Sequence, residues 1–455
     1  MPEAEFSFRE PERNRQAGSW LLLALLAMGI STLFAFLLVI LRTPFLNPGW
    51  LDTRFFTRAL VLHVDFAVII WFLSLAGVLW NLSASRRAGP ISGLASGLAL
   101  ILALAGVLMM LGAALEAQPA AMLSNYIPVL KSPLFLSGLG SFAAAAFLLS
   151  LRVLRSAQGT VTAFGSRCAG VALLTALLVL GWNLLSPALT AGADHYFEDL
   201  FWGPGHVLQF VYMLLMLVAW LQLARLAAVP LPPAKLLRGV FLLATLPLLA
   251  VVFIQLQYLP GSEAYRHAYT GLMRYGSWLP ALGLGLLLLF RLRSRGGPGT
   301  GQAWAALALV FSLLLFCLGL LAGGLIRADN VLVTAHYHGT VGAVTLSFMG
   351  LIYYLLPCLG ASRPATGWLR LQIGMYGSGM LLLIAGLFWS GLHDVPRKTP
   401  GDPGTGGAEI AGMLLMGAGG LIALSATLLF LFLALRALWP VQQTLFQASG
   451  ESGCK

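Results

Sequence analysis

The 455-residue chain is predicted to be an all-α membrane protein with about twelve transmembrane helices. Hydrophobic residues make up 59% of the sequence, charged residues only 9%, and the mean hydropathy is +0.86. Soluble globular domains carry a much larger charged fraction, whereas an apolar window of about 20 residues is long enough to cross a bilayer. Almost no sequence is left over for a soluble domain.

The apolar windows follow one another along the whole chain. They cover residues 19–41, 58–82, 92–115, 134–154, 161–185, 204–228, 238–259, 276–294, 303–326, 331–357, 368–392 and 410–436. We therefore predict a short cytoplasmic tail over 1–18, a twelve-helix transmembrane domain over 19–437 and a second cytoplasmic tail over 438–455. The first tail mixes both charge signs with prolines, which is unlike a cleaved signal peptide.

The distribution of positive charge predicts the orientation of these helices. With the N-terminus inside, the inner segments hold 18 of the 27 Lys and Arg residues and the outer segments hold nine. This bias fits the positive-inside rule, and it places both termini in the cytoplasm. The formal net charge of +11 is then mainly a consequence of topology, so no nucleic-acid partner is needed to explain it.

Five of the seven histidines are predicted to lie at one depth, near the outer ends of the helices. His63 is in the second window, His206 in the sixth, His267 in the connection after the seventh, and His336 and His338 in the tenth. A single histidine in a transmembrane helix is most often a hydrogen-bonded packing residue. Ionisable groups inside membranes are nevertheless functional candidates, and histidine is the commonest metal ligand. Five at one depth therefore predict a ligand cluster.

The stretch TAHYHGT, residues 334–340, carries two of these histidines one residue apart. Successive helical residues turn by about 100°, so His336 and His338 should face roughly opposite sides of one helix. From that spacing they cannot readily bind one metal, but they can bind two centres that flank the helix. The nearby Gly339 and Gly342 leave room for flat macrocycles. No CxxCH motif for covalent haem is present among the four scattered cysteines.

Several segments in chain order resemble the catalytic subunit of the haem-copper oxidase superfamily, which includes cytochrome c oxidases and nitric oxide reductases. They are LHVDF (62–66), LFWGPGH (200–206), RHAYT (266–270), DNVLVTAHYHG (329–339) and GLHDVPRKT (391–399). The resemblance covers nearly the whole chain and implies a bundle like that of subunit I. It also implies a multi-pass protein of the inner, or plasma, membrane of a prokaryote.

The resemblance implies a ligand for each histidine of the cluster. His63 and His338 would be the two axial ligands of a low-spin haem, and His336 would be the proximal ligand of a high-spin haem. His206 and His267 would bind a second metal, either copper or non-haem iron. Both haems are expected to be of the b type.

Three charged residues are also implied to lie near the haems. Arg397 and Lys398 would neutralise haem propionates, as paired cations facing carboxylates should, and Asp329 would lie near the haem edges. Two alternatives stay open. The cations could be a solvated loop pair, and Asp329 could cap the tenth helix.

The sequence departs from the family pattern at the second metal. Arg266 stands where a second histidine is expected, and a protonated guanidinium cannot ligate a metal. Three outcomes are open: another group completes the site, Arg266 points to a propionate, or there is no second metal. Candidate third ligands are Gln209, Gln257, Glu263 and Tyr265. Phe210 lies four residues after His206. At this position many oxidases of the family have a tyrosine and typical nitric oxide reductases have a glutamate, and this chain has neither.

The predicted function is a respiratory terminal reductase that reduces oxygen to water with electrons from cytochrome c. Its expected partners are the membrane, a small gas substrate and an electron-donating subunit of the cytochrome c or cupredoxin-like type. One alternative is a nitric oxide reductase with non-haem iron, and another is an electron-conducting haem subunit without gas chemistry. A transporter would explain the topology but not five histidines at one depth.

Overall fold

The computed structural model describes residues 11–46, 53–83, 90–116, 119–155, 159–190, 195–294, 303–399 and 406–451. Within these ranges, twelve helical segments are long and apolar enough to cross a membrane, which confirms the predicted number. The remainder of the predicted tails, residues 1–10 and 452–455 with Cys454, lies outside the described residues.

The helices run in order through the chain, and most spans are single uninterrupted helices. Their bounds are α1 (Pro11–Arg42), α2 (Thr53–Val64), α3 (Trp71–Leu82), α4 (Pro90–Ala114), α5 (Pro133–Leu154), α6 (Val161–Leu185), α7 (Tyr196–Leu226), α8 (Ala234–Thr245), α9 (Leu249–Gln257), α10 (Glu263–Gly276), α11 (Trp278–Ser294), α12 (Ala303–Leu325), α13 (Val331–Cys358), α14 (Thr366–Leu392) and α15 (Gly407–Glu451). A 3₁₀ turn, Leu246–Leu248, joins α8 to α9. The described residues also include one short antiparallel hairpin of β1 (Ala121–Met122) and β2 (Val129–Leu130).

A π-helical turn interrupts the second span directly after His63. It covers Asp65–Ile70 and links α2 to α3, and the Trp71 N–H donates to the Phe66 carbonyl five residues back. Such turns are rare and frequently occur at functional sites. The turn widens the helix next to the first candidate ligand.

Helices α12 and α13 pack with their backbones in close approach. A Cβ added at Gly339 would lie 2.4 Å from the Gly319 Cα, and one added at Gly319 would lie 2.6 Å from the Thr340 N. Only glycine fits at such a contact. The contact brings the α12 backbone beside His336.

Several helices extend beyond their predicted windows. α1 begins at Pro11 and α15 continues to Glu451, so both reach into the predicted tails. α7 begins at Tyr196 rather than at 204, and the eighth span begins with α10 at Glu263 rather than at 276. Apolar windows detect only the hydrocarbon core, whereas polar first turns and caps continue a helix past it. His267 therefore lies in a helix and not in a connection.

The loop after α14 is fastened to the start of α13. The Asn330 side chain caps α13 by accepting from the Leu332 N–H at 2.9 Å, and it donates to the Gly391 carbonyl at 3.0 Å and to Asp394 Oδ1 at 3.0 Å. The proposed capping role of Asp329 is therefore wrong, because the cap is its neighbour Asn330.

Candidate functional site

His336 and His338 contact different neighbours. The His336 Nδ1 lies 2.7 Å from the Gly319 carbonyl of α12, and its ring packs over Gly323. The His338 Nδ1 lies 2.9 Å from the carbonyl of Thr334, and His338 is close enough to His63 for the charge of one imidazole to act on the other. The two rings therefore serve two separate regions on either side of α13.

The ring of His63 is fixed by the first helix. Its Nδ1 lies 3.1 Å from the Ser31 carbonyl oxygen and 3.0 Å from the Ser31 Oγ, and that hydroxyl donates to the His63 carbonyl at 3.1 Å. Ser31 itself is buried. One residue of α1 thus holds both the backbone and the ring of His63.

His63, His336 and His338 share one hydrogen-bonding pattern. A carbonyl oxygen can only accept, so the proton is on Nδ1 in each ring and Nε2 carries a lone pair. Within the part of the chain that the structure describes, none of these three Nε2 atoms has a hydrogen-bond partner, and all three rings are half-buried. An anchored imidazole with an open Nε2 is the form that binds haem iron.

Anchoring alone does not distinguish a ligand. His393 also directs its Nδ1 to a carbonyl, that of Trp389 at 2.9 Å, but it is exposed at the end of α14. The rings of His63, His336 and His338 are half-buried and lie within spans, so they are more enclosed than His393 and are the candidate ligands.

His206 differs from these three because both of its ring nitrogens are already bonded. Its Nδ1 lies 2.7 Å from the Trp202 carbonyl, and its Nε2 lies 3.0 Å from the hydroxyl of Tyr126. The residue is only 2% exposed. Burial, together with the nearby Tyr337 and Glu198, raises the pKa of Tyr126 well above its ordinary value, so its phenol stays protonated and can donate. Both sides of the His206 ring are closed by protein groups.

His267 does not approach His206. On α10, Tyr265 and Tyr269 face inward and are fully buried, whereas the His267 side chain is 76% exposed. Its Nε2 lies 3.9 Å from Glu263 Oε1, which is exposed as well. Since the buried residues are spaced by four, His267 between them projects from the opposite side of the helix. His206 and His267 therefore face different surroundings in this structure, and their binding of one metal stays a prediction.

Arg266 forms an ion pair within the protein. Its Nη2 lies 2.5 Å from Asp199 Oδ1, and its Nε donates to the same oxygen at 2.9 Å. Of the three outcomes left open for Arg266, contact with a propionate is therefore not favoured. The candidate third ligands do not converge either. Among the described residues, no group of three or more His, Cys, Asp or Glu side chains could hold a metal ion.

Arg397, Lys398 and Asp329 meet Asn125 and Glu198 in a polar cluster at the helix ends that are predicted to be the outer ones, and we name it the outer polar cluster. Arg397 pairs with Asp329 and donates to Asn125 Oδ1 at 2.7 Å, and Lys398 donates to the same oxygen at 3.1 Å. Asn125 in turn donates to both carboxylate oxygens of Glu198, at 2.7 and 2.9 Å. The cations are thus part of a hydrogen-bonded network and not a solvated loop pair, since the Arg397 side chain is only 10% exposed, although that of Asp329 is 74% exposed.

Burial is the main influence on the charge of Lys398 in this cluster, where two cations meet the carboxylates of Glu198 and Asp329. Burial, and after it the Arg397 guanidinium, lower the pKa of Lys398, although Glu198 and Asp329 act in the opposite direction. A further carboxylate beside the two cations would offset both effects. Haem propionates have the required charge.

Comparison with known proteins settles the family. Residues 15–433 match the family described as Cytochrome C and Quinol oxidase polypeptide I. The chain belongs to this family, within the haem-copper oxidase superfamily. A solved haem-copper terminal oxidase dimer superposes with a TM-score of 0.68 at 18% identity, over 93% of this chain and 84% of that chain, which shows the shared fold.

The relatives of this oxidase-family chain include proteins without a described function. An uncharacterized protein of Rickettsia prowazekii is 26% identical over 94% of this chain and 96% of its own length. Another, from Aquifex aeolicus, is 29% identical over 75% of this chain and 84% of its own. The cytochrome c oxidase subunit 1 of Thermus thermophilus is 34% identical, but over only 17% of this chain and 16% of its own. The chain is therefore a divergent member of the family.

Two functional candidates were missed by sequence reasoning. Arg42, at the end of α1, donates to the Pro396 carbonyl at 2.9 Å and acts electrostatically on His338, so it is a third cation available to haem carboxylates. Tyr126 lies in the connection between α4 and α5, and it contacts His206 from 80 residues away. Arg42 could have been found, because it is an arginine at the predicted outer end of an apolar window. Nothing in the sequence predicts the contact between Tyr126 and His206.

Asp65 is an acidic residue inside the second span. It is fully buried, and neither carboxylate oxygen has a hydrogen-bond partner among the described residues. It lies in the π-helical turn two residues after His63 and near Tyr212 of α7.

Replacing Gly323 by alanine is expected to displace the His336 ring. The added Cβ would lie 2.6 Å from Nδ1 and 2.9 Å from Cε1, so the ring would have to move off the Gly319 carbonyl. Loss of such a supporting hydrogen bond weakens metal binding by roughly 10- to 100-fold. The measurement is haem retention during dilution, recorded in the absorption band that His336 is predicted to govern.

The adjacent Gly324→Ala variant is the matched control. A Cβ at Gly324 meets nothing within 4 Å, and both substitutions change helix propensity equally, by up to about 1 kcal/mol. Equal haem loss in the two variants would contradict a specific contact between position 323 and His336.

Proposed function

We propose that this chain is the haem-binding catalytic subunit of a respiratory terminal reductase in a prokaryotic plasma membrane. His63 and His338 hold a low-spin haem, and His336 holds a high-spin haem on the other side of α13. One observation carries the proposal: three imidazoles inside the bundle are anchored through Nδ1 and leave Nε2 open. Membership of the oxidase family supports it.

The low-spin site is formed by two helices that position opposing ligands. Ser31 orients His63, and the Thr334 carbonyl orients His338. Both imidazoles are neutral ligands, so they do not offset the negative charge on the carboxylates of a bound haem. Arg42 lies near His338, where it can compensate such charge.

The high-spin site has one protein ligand on the side that α12 and α13 share. Gly319 accepts from His336, which fixes the ring and makes its Nε2 a better donor to iron. When bound, the two haems supply one-electron transfer, and the haem with a single protein ligand keeps a position for a diatomic oxidant. Oxygen is the proposed substrate, with nitric oxide as the alternative, and both haems are of the b type.

The outer polar cluster marks the side of the protein at which electrons enter. Arg397 and Lys398 are held by Asn125 and Leu123, so their charges occupy fixed positions, with Arg397 near Tyr337 of α13. These cations would bind propionates and bring the haem edges toward the outer surface. The proposed donor is a cytochrome c-type or cupredoxin-like subunit.

A second candidate function is electron conduction without gas chemistry. Two contacts favour it: the ion pair of Arg266 with Asp199 and the hydrogen bond between Tyr126 and His206. Two-metal chemistry would require metal ligands at positions 266 and 206, and both side chains are already bonded within the protein. His336 argues against it, since a pure electron carrier needs only His63 and His338. The two candidates differ in whether one haem is open to a gas.

Haem content and carbon monoxide binding test the proposal and separate the two candidates. We expect about two haems per purified chain, of which only the high-spin one binds carbon monoxide when reduced. Two haems with no carbon monoxide binding would favour the electron carrier. A chain that purifies with one haem or none, and takes up no more when haem is supplied, would contradict the proposal.

A further inference from the structure

We infer that Tyr126 occupies the metal-binding nitrogen of His206, so that this chain carries haem without a second metal. The inference rests on the proposed haem-binding function and concerns the region where its oxidase relatives would be expected to hold another metal. It is carried by the positions of His206, Tyr126, Arg266 and His267.

His206 has no nitrogen left for a metal. The Trp202 carbonyl at 2.7 Å requires a proton on Nδ1, and the resulting lone pair on Nε2 is taken by the Tyr126 O–H at 3.0 Å. The three candidate haem ligands use the same Nδ1 anchor but leave Nε2 open and their rings half-buried. His206 is sealed instead, at 2% exposure. His206 therefore differs from the other three rings in its contact with Tyr126 and in its deeper burial.

The position of Tyr126 is fixed by other contacts besides the one with His206. Its ring packs edge-on against Trp202 with centroids 5.8 Å apart, and its Cβ would lie 2.3 Å from a Cβ at position 205, so glycine is required there. Tyr337 of α13 also lies near Tyr126. Moving Tyr126 aside would break contacts with two helices.

The segment around Tyr126 is also fixed. Its neighbour Asn125 is bonded to Glu198 through both the backbone and the side-chain amide, and it accepts from Arg397 and Lys398. Because the outer polar cluster holds Asn125, the tyrosine is positioned over His206 by the same residues that would hold the haem propionates.

The other expected ligands are turned away by a second set of contacts. The Trp202 Nε1 donates to the Arg266 carbonyl at 3.1 Å, and Arg266 pairs with Asp199. These two contacts fix the rotation of α10 about its own axis relative to α7. That rotation buries Tyr265 and Tyr269 and directs His267 outward. A catalytic metal site generally needs three protein ligands. Here one histidine is closed, one faces outward and the third position is an arginine.

The test measures non-haem metal separately from haem. Purified protein is incubated with copper(I) or iron(II) under reducing conditions and desalted, and total copper and iron are then compared with haem determined optically. The variants are His206→Ala, Tyr126→Phe and, as control, Tyr258→Phe, whose ring is half-exposed at the end of α9.

We expect copper and non-haem iron well below one per chain in the unmodified protein, with no further decrease in His206→Ala. Tyr126→Phe removes the donor to Nε2, so any gain of metal by this variant that Tyr258→Phe lacks would support the inference further. One extra copper or iron per chain that is lost in His206→Ala would overturn it.

Failure of the inference and failure of the proposed function give different results. Two haems with one extra metal would contradict only the role of Tyr126, whereas absence of haem would contradict the proposed function, and the closure of His206 by Tyr126 would then be judged from metal uptake alone. Metal uptake dependent on His206 can be measured in either case, so each outcome decides the matter.

Discussion

Substituting His338 by alanine is expected to remove the low-spin haem and to leave the high-spin haem in place. The His338 Nε2 is open and its ring acts on His63 across the space between α2 and α13. Without it, His63 alone can supply one axial ligand. Haem content should fall from about two to about one per chain, and the low-spin signal in electron paramagnetic resonance should disappear.

The control for this prediction is His393→Ala. His393 makes the same bond to a carbonyl four residues back but is exposed. Its removal tests for non-specific effects of deleting an anchored imidazole. An unchanged low-spin signal in His338→Ala, or equal loss of signal in His393→Ala, would contradict the assignment.

Substituting His336 by alanine is expected to have the opposite result. The ring contacts Gly319 and Gly323 on α12, away from His63, so its loss should remove the haem that binds carbon monoxide. The low-spin signal should persist, because the Ser31 and Thr334 anchors are untouched. The measurement is the carbon monoxide difference spectrum of the reduced protein.

Together the two variants test the separation of the two sides of α13. Each should lose a different haem, and the double variant should lose both. If both single variants lost the same haem, the argument from the 200° angular separation would be wrong, whatever the total haem content. Thermal unfolding of each variant without added haem checks that the bundle is intact.

Much of this fold was predictable because the bilayer imposes a strong constraint. Twelve apolar windows predicted twelve spans, since each window must be helical to satisfy its backbone in lipid. The opposite directions of His336 and His338 followed from helical geometry alone. Helix ends were less predictable, because α7 and α10 begin with polar turns outside the apolar windows.

The orientation of His267 was open to prediction, but the family pattern pointed elsewhere. Tyr265, Tyr269 and Leu272 are spaced as one buried face of α10, which leaves His267 on the opposite face. The local periodicity thus predicts the exposed position that His267 has in the structure. The ligand role that the family motif implies for His267 stays a prediction.

The contact between Tyr126 and His206 could not have been predicted. It joins a connection without helical periodicity to a helix 80 residues away, and it depends on how the outer polar cluster folds the segment around Asn125. Long-range side-chain contacts of this kind follow from packing and not from local pattern. The same limit applies to Arg42, whose proximity to His338 depends on the packing of α1 against the rest of the bundle.

The π-helical turn over Asp65–Ile70 determines how the side chains before it are directed relative to those after it in the second span. A hydrogen bond closing over five residues accommodates one more residue than an α-helical turn. If that extra residue were deleted, the turn could close as ordinary α-helix, and everything before it would rotate by about 100° relative to Trp71. His63 would then point away from His338 although the span stayed long enough to cross the membrane. A one-residue gap at this turn in a relative would therefore indicate a redirected histidine, even where the residue itself is still present.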